Sequence, residues 1–226
     1  MTGNFDDLAA KLQGRTIRGI SRRAKFILLD LGEGFLSIHL GMTGRLLIDA
    51  RPQPHTYGFF ELDRGTLAFI DPRQFGKIEW SPARVTRLGP EPLSIPFEEF
   101  FARLKARHAR IKPLLLNQSF LGGLGNIYAD EALHRAGIHP KALASRISAP
   151  RARKLHQAIQ QILSDAIEHR GSSISDYVDA EGERGEFQQL HRVYGREGEP
   201  CLQCGSTVRR IVLGGRSTHY CPKCQR

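Results

Sequence analysis

The cysteines near the end of the chain have the spacing of a metal site. They form two Cys-x2-Cys pairs, and the chain has no fifth cysteine: Cys201, Cys204, Cys221 and Cys224. Four thiolates in two such pairs can complete a tetrahedral shell around one Zn²⁺. The residues between the pairs predict two short strands, 207–213 and 217–220, joined by a turn at Gly214-Gly215. Because so short a segment cannot bury a core of its own, we predict a structural zinc that supplies much of its folding free energy.

Two disulfides or a redox-active pair are the alternatives for these cysteines. Disulfides persist in oxidising compartments. The sequence shows neither a signal peptide nor a long apolar run, so we expect a cytoplasmic protein without a membrane segment and favour zinc.

The chain carries a strong excess of positive charge. It has 33 Lys and Arg against 23 Asp and Glu, which gives a net charge of +10 at pH 7. Basic residues are concentrated at 15–25, 105–112 and 209–216. This distribution favours a polyanionic partner, with nucleic acid as the first candidate and a solvated basic surface as the alternative.

A glycine-rich turn precedes a predicted helix in the second half of the chain. Gly122, Gly123 and Gly125 lie within four positions, and Asn126 follows as the expected cap of the helix. Free N–H groups at a helix start bind phosphate, so we interpret this turn as a phosphate cradle. An ordinary turn between packed helices is the alternative.

An arginine and an aromatic residue lie two positions apart at Asp71-Pro-Arg73-Gln-Phe75-Gly. On an extended segment their side chains point to the same side. Such a pair can enter a base stack and fill the gap left by an extruded base. The alternative for Phe75 is a core position.

Hydrophobic periodicity divides the chain near Leu93. The residues before it predict a short helix at 6–13 and then strands, the first of which covers 17–31. The residues after it have helical periodicity, including a long helix that begins at Ser148 and ends at Gly171. We predict an α+β multidomain fold with domains at 1–93, 94–190 and 191–226.

Five segments, in order along the chain, resemble formamidopyrimidine-DNA glycosylases, a family similar in plan to endonuclease VIII. They are His39-Leu-Gly-Met42-Thr-Gly, Asp71-Pro-Arg73-Gln-Phe75-Gly, Ile111-Lys112-Pro, Gly125-Asn126-Ile-Tyr-Ala-Asp-Glu131, and the segment from Val193 through Cys224. The resemblance implies an N-terminal β-sandwich, truncated here, a helix–two-turns–helix domain and a C-terminal zinc-finger β-hairpin. It also implies a base-excision repair DNA glycosylase with AP-lyase activity on 8-oxoguanine and formamidopyrimidines.

The resemblance also implies roles for particular residues. Those that would fill the gap left by the extruded nucleotide are Met42, Arg73 and Phe75. Those that would hold the kinked DNA backbone are Lys112, Asn126 and Arg216. Further DNA contacts are implied for His55, Arg107 and His108. Catalytic roles are implied for Lys25, which assists elimination, and for Arg216; a solvated surface cation is the alternative for Lys25. Gln74 replaces an arginine common in the family, which predicts one weaker phosphate contact.

Substrate choice and partners follow from the same resemblance. Residues 171–189 resemble the loop that covers the extruded base in the purine-specific branch, and a mobile surface loop is the alternative. The implied partner is damaged double-stranded DNA, bound by a monomer in the bacterial cytoplasm in association with the nucleoid. A non-catalytic lesion or AP-site binding protein and a generic zinc-ribbon DNA-binding module are the competing interpretations.

The family's catalytic opening, a proline whose amine attacks the sugar followed by an acidic glutamate, has no counterpart in these 226 residues. The start of the sequence, Met1-Thr-Gly-Asn-Phe5, joins the family pattern at the helix before Arg22-Arg23. Three explanations are open: a start placed downstream or a shortened chain, a degenerate paralogue that binds without excising, and an active variant with another amine. We expect little excision of 8-oxoguanine by these residues alone and slow nicking of abasic sites.

Overall fold

Antiparallel strands form most of the first half of the chain and helices most of the second. The computed structural model describes residues 5–173 and 182–226, so the predicted base-covering loop at 171–189 lies partly outside the described residues. The chain divides into two compact units. The first comprises Met1–Arg87 and Arg170–Glu186, and the second comprises Leu88–His169 and Phe187–Arg226.

The first unit contains one helix before two sheets, as predicted. Helix α1 is Phe5–Leu12 and α2 is Ala83–Thr86. The strands are β1 Gly19–Arg23, β2 Phe26–Asp30, β3 Phe35–His39, β4 Arg45–Ile48, β5 Thr56–Glu61, β6 Thr66–Ile70 and β7 Lys77–Trp80. A four-stranded sheet has the order β1-β2-β3-β7, and a three-stranded sheet has the order β4-β6-β5. Leu36 and Ile38 of the first sheet and Phe69 of the second are buried in one core, which makes the unit a β-sandwich.

The single strand predicted at 17–31 was wrong. It is a hairpin in which β1 pairs with β2, with Arg23 opposite Phe26. Ala24, at the turn, has a left-handed φ of 52°. The sequence has no Gly, Asn or Pro at this turn to mark it, so the periodicity suggested one continuous strand.

The second unit contains four helices followed by a small sheet. They are α3 Phe97–Lys105, α4 Ile111–Leu116, α5 Asn126–Arg135 and α6 Ala149–Glu168, with 3₁₀ turns at Ala144–Arg146 and Phe187–Leu190. Strands β8 Arg209–Leu213 and β9 Arg216–Tyr220 form the predicted hairpin around the glycine turn. Phe100, Leu115 and Leu133 are completely buried in the helical core.

The zinc-finger segment packs in the same unit as these helices. The boundaries that we place at residues 93 and 190 stay a prediction. Among residues 5–173 and 182–226, no helix has both the length and the apolar character needed to cross a membrane.

Candidate nucleic-acid interface and zinc centre

The predicted metal ligands meet at the base of the β8–β9 hairpin. The Sγ atoms of Cys201, Cys204, Cys221 and Cys224 all lie within 4.8 Å of one another. The Cys201–Cys224 and Cys204–Cys221 sulfur distances are 3.9 and 3.4 Å, and all four cysteines are free. A disulfide needs about 2.0 Å, whereas four sulfurs about 2.3 Å from a tetrahedral zinc lie roughly 3.8 Å apart. The cluster therefore fits one structural Zn²⁺ and does not fit two disulfides.

The four thiols differ in acidity. Hydrogen bonding to the backbone of Ser206 lowers the pKa of Cys204 to about 6. Burial raises the pKa of Cys221 and, with the neighbouring thiols, that of Cys224. Zinc binding must displace the protons that these thiols hold, so the affinity for zinc rises with pH.

Two consecutive acidic residues of α5 anchor the zinc-finger segment. The Glu131 carboxylate accepts backbone hydrogen bonds of 2.9, 3.0 and 2.8 Å from residues 192–194. The Asp130 carboxylate accepts a 2.9 Å bond from the backbone N–H of His219 and lies 2.6 Å from Lys112 Nζ. Both acidic residues are 1% exposed. Buried carboxylates are tolerated when they are paired in this way, so these residues hold two parts of the zinc-finger segment to the helix.

The structure revises the prediction for Lys112. Its side chain is completely buried, and Nζ contacts Asp130, the Ser217 carbonyl at 2.7 Å and Thr218 Oγ1 at 2.9 Å. Burial lowers the pKa of Lys112, and the Asp130 carboxylate opposes this shift. An enclosed ammonium with three protein partners has no surface for a phosphate. Lys112 therefore has no direct access to the DNA backbone in this structure, because its ammonium group is paired inside the unit.

Asn126 converges on the same carbonyl. Its Nδ2 donates to Ser217 O at 3.1 Å, so Asn126 and Lys112 both hold the residue that follows the exposed Arg216. Asn126 is the first residue of α5, and Gly125 is the N-cap, without a side-chain cap bond. The predicted capping by Asn126 was wrong, because Asn126 is already the first helical residue and the N-cap position is occupied by Gly125.

The glycine-rich turn offers fewer donors than its sequence suggested. Gly122 N–H donates to Pro90 O at 3.0 Å, and Gly123 N–H donates to Gln118 Oε1 at 2.9 Å. These two groups are already paired within the protein. The remaining anion-binding capacity of this segment lies in the first N–H groups of α5, which an α-helix cannot pair internally.

In the first unit, Asp71 joins the two loops that carry the predicted gap-filling residues. Its buried carboxylate accepts a 2.5 Å bond from Thr43 Oγ1 and a 2.6 Å bond from Gly76 N–H. A Cβ at Gly41, whose φ is +68°, would lie 2.7 Å from the carbonyl carbon of Phe75. The loops at 40–44 and 71–76 are therefore in direct backbone contact.

These loops present Met42, Arg73 and Phe75 together. Met42 is 54% exposed and Phe75 is 50% exposed. The Arg73 guanidinium carbon lies 5.0 Å from the centre of the Phe75 ring, which is a cation–π contact. Gln74, between them, has a left-handed φ of 57° and is not part of a strand. The two side chains meet through this bent segment and not through the extended one that we predicted.

His55 lies beside the same loop. Its backbone carbonyl accepts a 3.0 Å bond from Asp71 N–H, and its φ is 67°. The His55 side chain is exposed.

Lys25 is exposed in the β1–β2 turn. It precedes Phe26, which is paired with His39 at the end of β3. Burial lowers the pKa of His39, and the positive charges of Lys25, Arg84 and Lys77 lower it further. Since Met42 follows β3 by three residues, Lys25 and the loop at 40–44 lie at the same end of the sheet.

Arg107 and His108 are exposed between α3 and α4. His108 Nδ1 lies 3.4 Å from Ser145 Oγ. Among the described residues, no hydrogen bond joins this pair to Lys112, Asn126 or Ser217.

Models of known protein families match most of the chain. The formamidopyrimidine-DNA glycosylase N-terminal domain matches residues 2–78, the H2TH domain of the same glycosylases matches residues 88–178, and a zinc finger found in FPG and IleRS matches residues 198–226. The formamidopyrimidine-DNA glycosylase of Solibacter usitatus is 58% identical over 99% of this chain and 86% of its own length. This chain belongs to the formamidopyrimidine-DNA glycosylase family.

Solved structures of the family have the same fold. One is the Lactococcus lactis Fpg in complex with DNA containing an abasic site. That Fpg chain is 36% identical to this one, with a TM-score of 0.89 over 99% of this chain and 87% of that one. A MutM in complex with DNA containing carbocyclic 8-oxo-G has the same identity and TM-score over 99% of this chain and 86% of that one.

Sequence reasoning missed several residues that shape this family member. Asp71, Asp130 and Glu131 lie within the motifs, and their position beside apolar or glycine-rich residues is a short-range signal for buried carboxylates. Ser217 had no such signal. It acts through its backbone carbonyl, which any residue carries.

Proposed function

We propose that this chain acts in base-excision repair as a DNA glycosylase with AP-lyase activity on oxidised purines in double-stranded DNA. Membership of the formamidopyrimidine-DNA glycosylase family supports the reaction class. The abasic-site and 8-oxo-G complexes of its structural relatives support the substrate class.

The observation that carries this proposal is the exposed group of Met42, Arg73 and Phe75. Half-exposed apolar side chains on a rigid loop are suited to enter a base stack. One side of each side chain is already accessible, and the loop that holds it needs no rearrangement on binding. Asp71 supplies that base through its bonds to Thr43 and Gly76. In our proposal, these side chains fill the space that the extruded nucleotide leaves.

In this proposal, the second unit contributes contacts with the DNA phosphate backbone. Arg216 and the start of α5 at Asn126 provide a cation and N–H donors for phosphate. Lys112 acts indirectly, because it holds the Ser217 carbonyl next to Arg216. We propose additional contacts for His55, Arg107 and His108, each of which has an exposed side chain.

The chemistry that we propose for these residues is elimination at an abasic site. The neutral Lys25 amine adds to the C1′ aldehyde, and loss of water gives an iminium ion that makes the C2′ proton acidic. Transfer of that proton to water breaks the C2′–H bond, and its electron pair forms the C2′–C3′ double bond as the C3′–O bond breaks and the 3′ phosphate leaves. Arg216 stabilises the negative charge of the departing phosphate. We also propose that the protein binds DNA as a monomer in the bacterial cytoplasm.

The test compares binding of the chain to a duplex with an abasic-site analogue and to the intact duplex. We expect tighter binding to the abasic duplex. Phe75→Ala should remove most of that preference, whereas Phe59→Ala, which changes a partly exposed phenylalanine on β5, should retain it. Equal affinity of the unchanged protein for both duplexes would refute the proposal and favour a generic basic DNA-binding module.

A second experiment separates binding from chemistry. Borohydride reduction on a pre-formed abasic site should trap the protein covalently, and Lys25→Ala should reduce trapping. Preference for the abasic duplex without trapping would identify a protein that binds lesions and does not cleave them.

A further inference from the structure

A histidine outside the zinc finger contacts one of the zinc ligands. His134 is in the last turn of α5 and is 5% exposed, and its Nε2 lies 3.6 Å from Sγ of Cys201. Cys201 is 3% exposed. At this distance the Nε2–H tautomer donates a hydrogen bond to the sulfur, and a thiolate is a stronger acceptor than a thiol because it carries the full negative charge.

The position of His134 is fixed by its helix. It follows Glu131 by three residues, so both side chains lie on one face of α5. Glu131 binds residues 192–194 of the zinc-finger segment, which lead to the first cysteine pair. The carboxylate bonds therefore hold this helical face against the segment and bring the imidazole to Cys201.

Two of the other three sulfurs obtain donors from within the zinc-finger segment. Cys204 is paired with Ser206, and Cys221 accepts from the backbone N–H of Cys224. Hydrogen bonds within the segment do not depend on its packing against α5. The hydrogen bond from His134 to Cys201 forms only while α5 and the segment are packed together. This contact connects the metal shell to the helix that begins at Asn126.

We propose that His134 is a positioning residue of the zinc centre, which donates Nε2–H to the Cys201 thiolate. Four thiolates around one Zn²⁺ leave a net charge of −2 in a mostly buried site. A hydrogen bond stabilises the Cys201 thiolate against protonation and partly offsets this charge, so it favours the zinc-bound form and lowers the reactivity of the sulfur towards electrophiles. The chemistry requires only Zn²⁺ and residues of this chain.

Three variants test the proposal in zinc-loaded protein. His134→Phe retains a ring of similar volume and removes the donor, and His134→Gln restores an N–H near the Nε2 position. His156→Phe is the matched control, because His156 is also buried in the second unit but its Nε2 faces the backbone carbonyl of Ile95 at 2.8 Å.

We expect His134→Phe to weaken zinc binding by about 10-fold or more, as is typical for the loss of an outer-shell partner. N-ethylmaleimide should then alkylate Cys201 faster, while the rates at the other three cysteines change less, as measured by peptide mass spectrometry. In the Co²⁺-substituted protein the sulfur-to-metal charge-transfer band should move to longer wavelength, because the sulfur lone pair is no longer stabilised. His134→Gln should restore all three values towards those of the unchanged protein.

Two results would overturn the proposal. One is an unchanged Cys201 rate and charge-transfer band in His134→Phe. The other is equal acceleration at all four cysteines in His134→Phe and in His156→Phe, which would indicate a packing role. Should His134→Phe fail to fold, ¹⁵N NMR of the unchanged protein decides the question, since a His134 ring protonated at Nδ1 alone would refute it.

Discussion

Asp130 and Glu131 are neighbours in α5, yet their carboxylates hold two different segments of the zinc finger. Glu131 binds the residues that lead to the first cysteine pair, and Asp130 binds His219, two residues before Cys221. Successive helical side chains diverge by about 100°, because there are about 3.6 residues in a turn. One turn of helix therefore fixes both the entry to the metal site and the hairpin strand that precedes its second cysteine pair.

Loss of the Glu131 charge should destabilise the second unit. Glu131→Gln leaves three backbone N–H groups with a neutral, partly mismatched acceptor, and we expect a loss of about 2–3 kcal/mol in the free energy of unfolding. The control is Glu199→Gln, since Glu199 is an exposed partner of Arg196 and should cost less than about 1 kcal/mol. Urea unfolding at constant zinc measures both, and equal losses would contradict the prediction.

The salt dependence of DNA binding should distinguish Lys112 from Arg216. Arg216→Ala should reduce the slope of log affinity against log salt by about 1, because an exposed cation releases a counterion from DNA. Lys112→Met should leave the slope unchanged, since its charge is buried and paired with Asp130. It should cost about 3–5 kcal/mol of stability, because an unpaired carboxylate remains inside. A slope reduced equally in both variants would show that Lys112 reaches the phosphates directly.

Close packing at Gly41 should be necessary for the abasic-site preference. Gly41→Ala introduces a Cβ 2.7 Å from the Phe75 backbone at a φ of +68°, so the loop at 71–76 must move. Gly14→Ala is the control, because Gly14 has a similar φ of +71° but nothing within 4 Å. Both should lose about 1–2 kcal/mol from the left-handed backbone, but only Gly41→Ala should lose the preference. Intact preference in Gly41→Ala would show that the loop contact is unimportant.

His39 should titrate below its ordinary pKa of 6.5. Its folded pKa is lowered, so the unfolded chain binds more protons, and this contribution to stability is lost as the pH falls from 6.5 through the folded pKa. Lys25→Ala should raise the pKa of His39 without restoring 6.5, since burial is the larger cause. Lys25→Arg should leave it unchanged. NMR titration of the His39 ring measures each value, and an unchanged pKa in Lys25→Ala would show that Lys25 exerts no field there.

Zinc removal should loosen the hairpin from α5. Elemental analysis should find about one zinc per chain, as four thiolate ligands require. Chelation should accelerate hydrogen exchange at the His219 amide, which donates to Asp130, and should abolish DNA binding. Exchange at the buried Leu115 in the helical core is the internal control. Unchanged exchange at His219 after complete zinc loss would mean that the carboxylates hold the hairpin without the metal.

The sequence by itself determined the features that depend on local spacing. The four cysteines predicted a zinc site because two Cys-x2-Cys pairs carry their ligand geometry in a few residues. The change from alternating to helical periodicity predicted an α+β chain, and the paired glycines at 214 and 215 predicted the turn of the zinc hairpin. Each of these signals is complete within a short window.

Only the tertiary structure decided where the charges of the predicted interface are used. Lys112 has the same sequence signature as an exposed cation, but its partners are Asp130 and Ser217, the latter 105 residues away. Asn126 has the signature of a cap, but its amide binds the same distant carbonyl. The fate of such a group depends on which oxygens the folded chain places beside it. Those oxygens come from segments whose proximity is set by packing, and no local pattern records it.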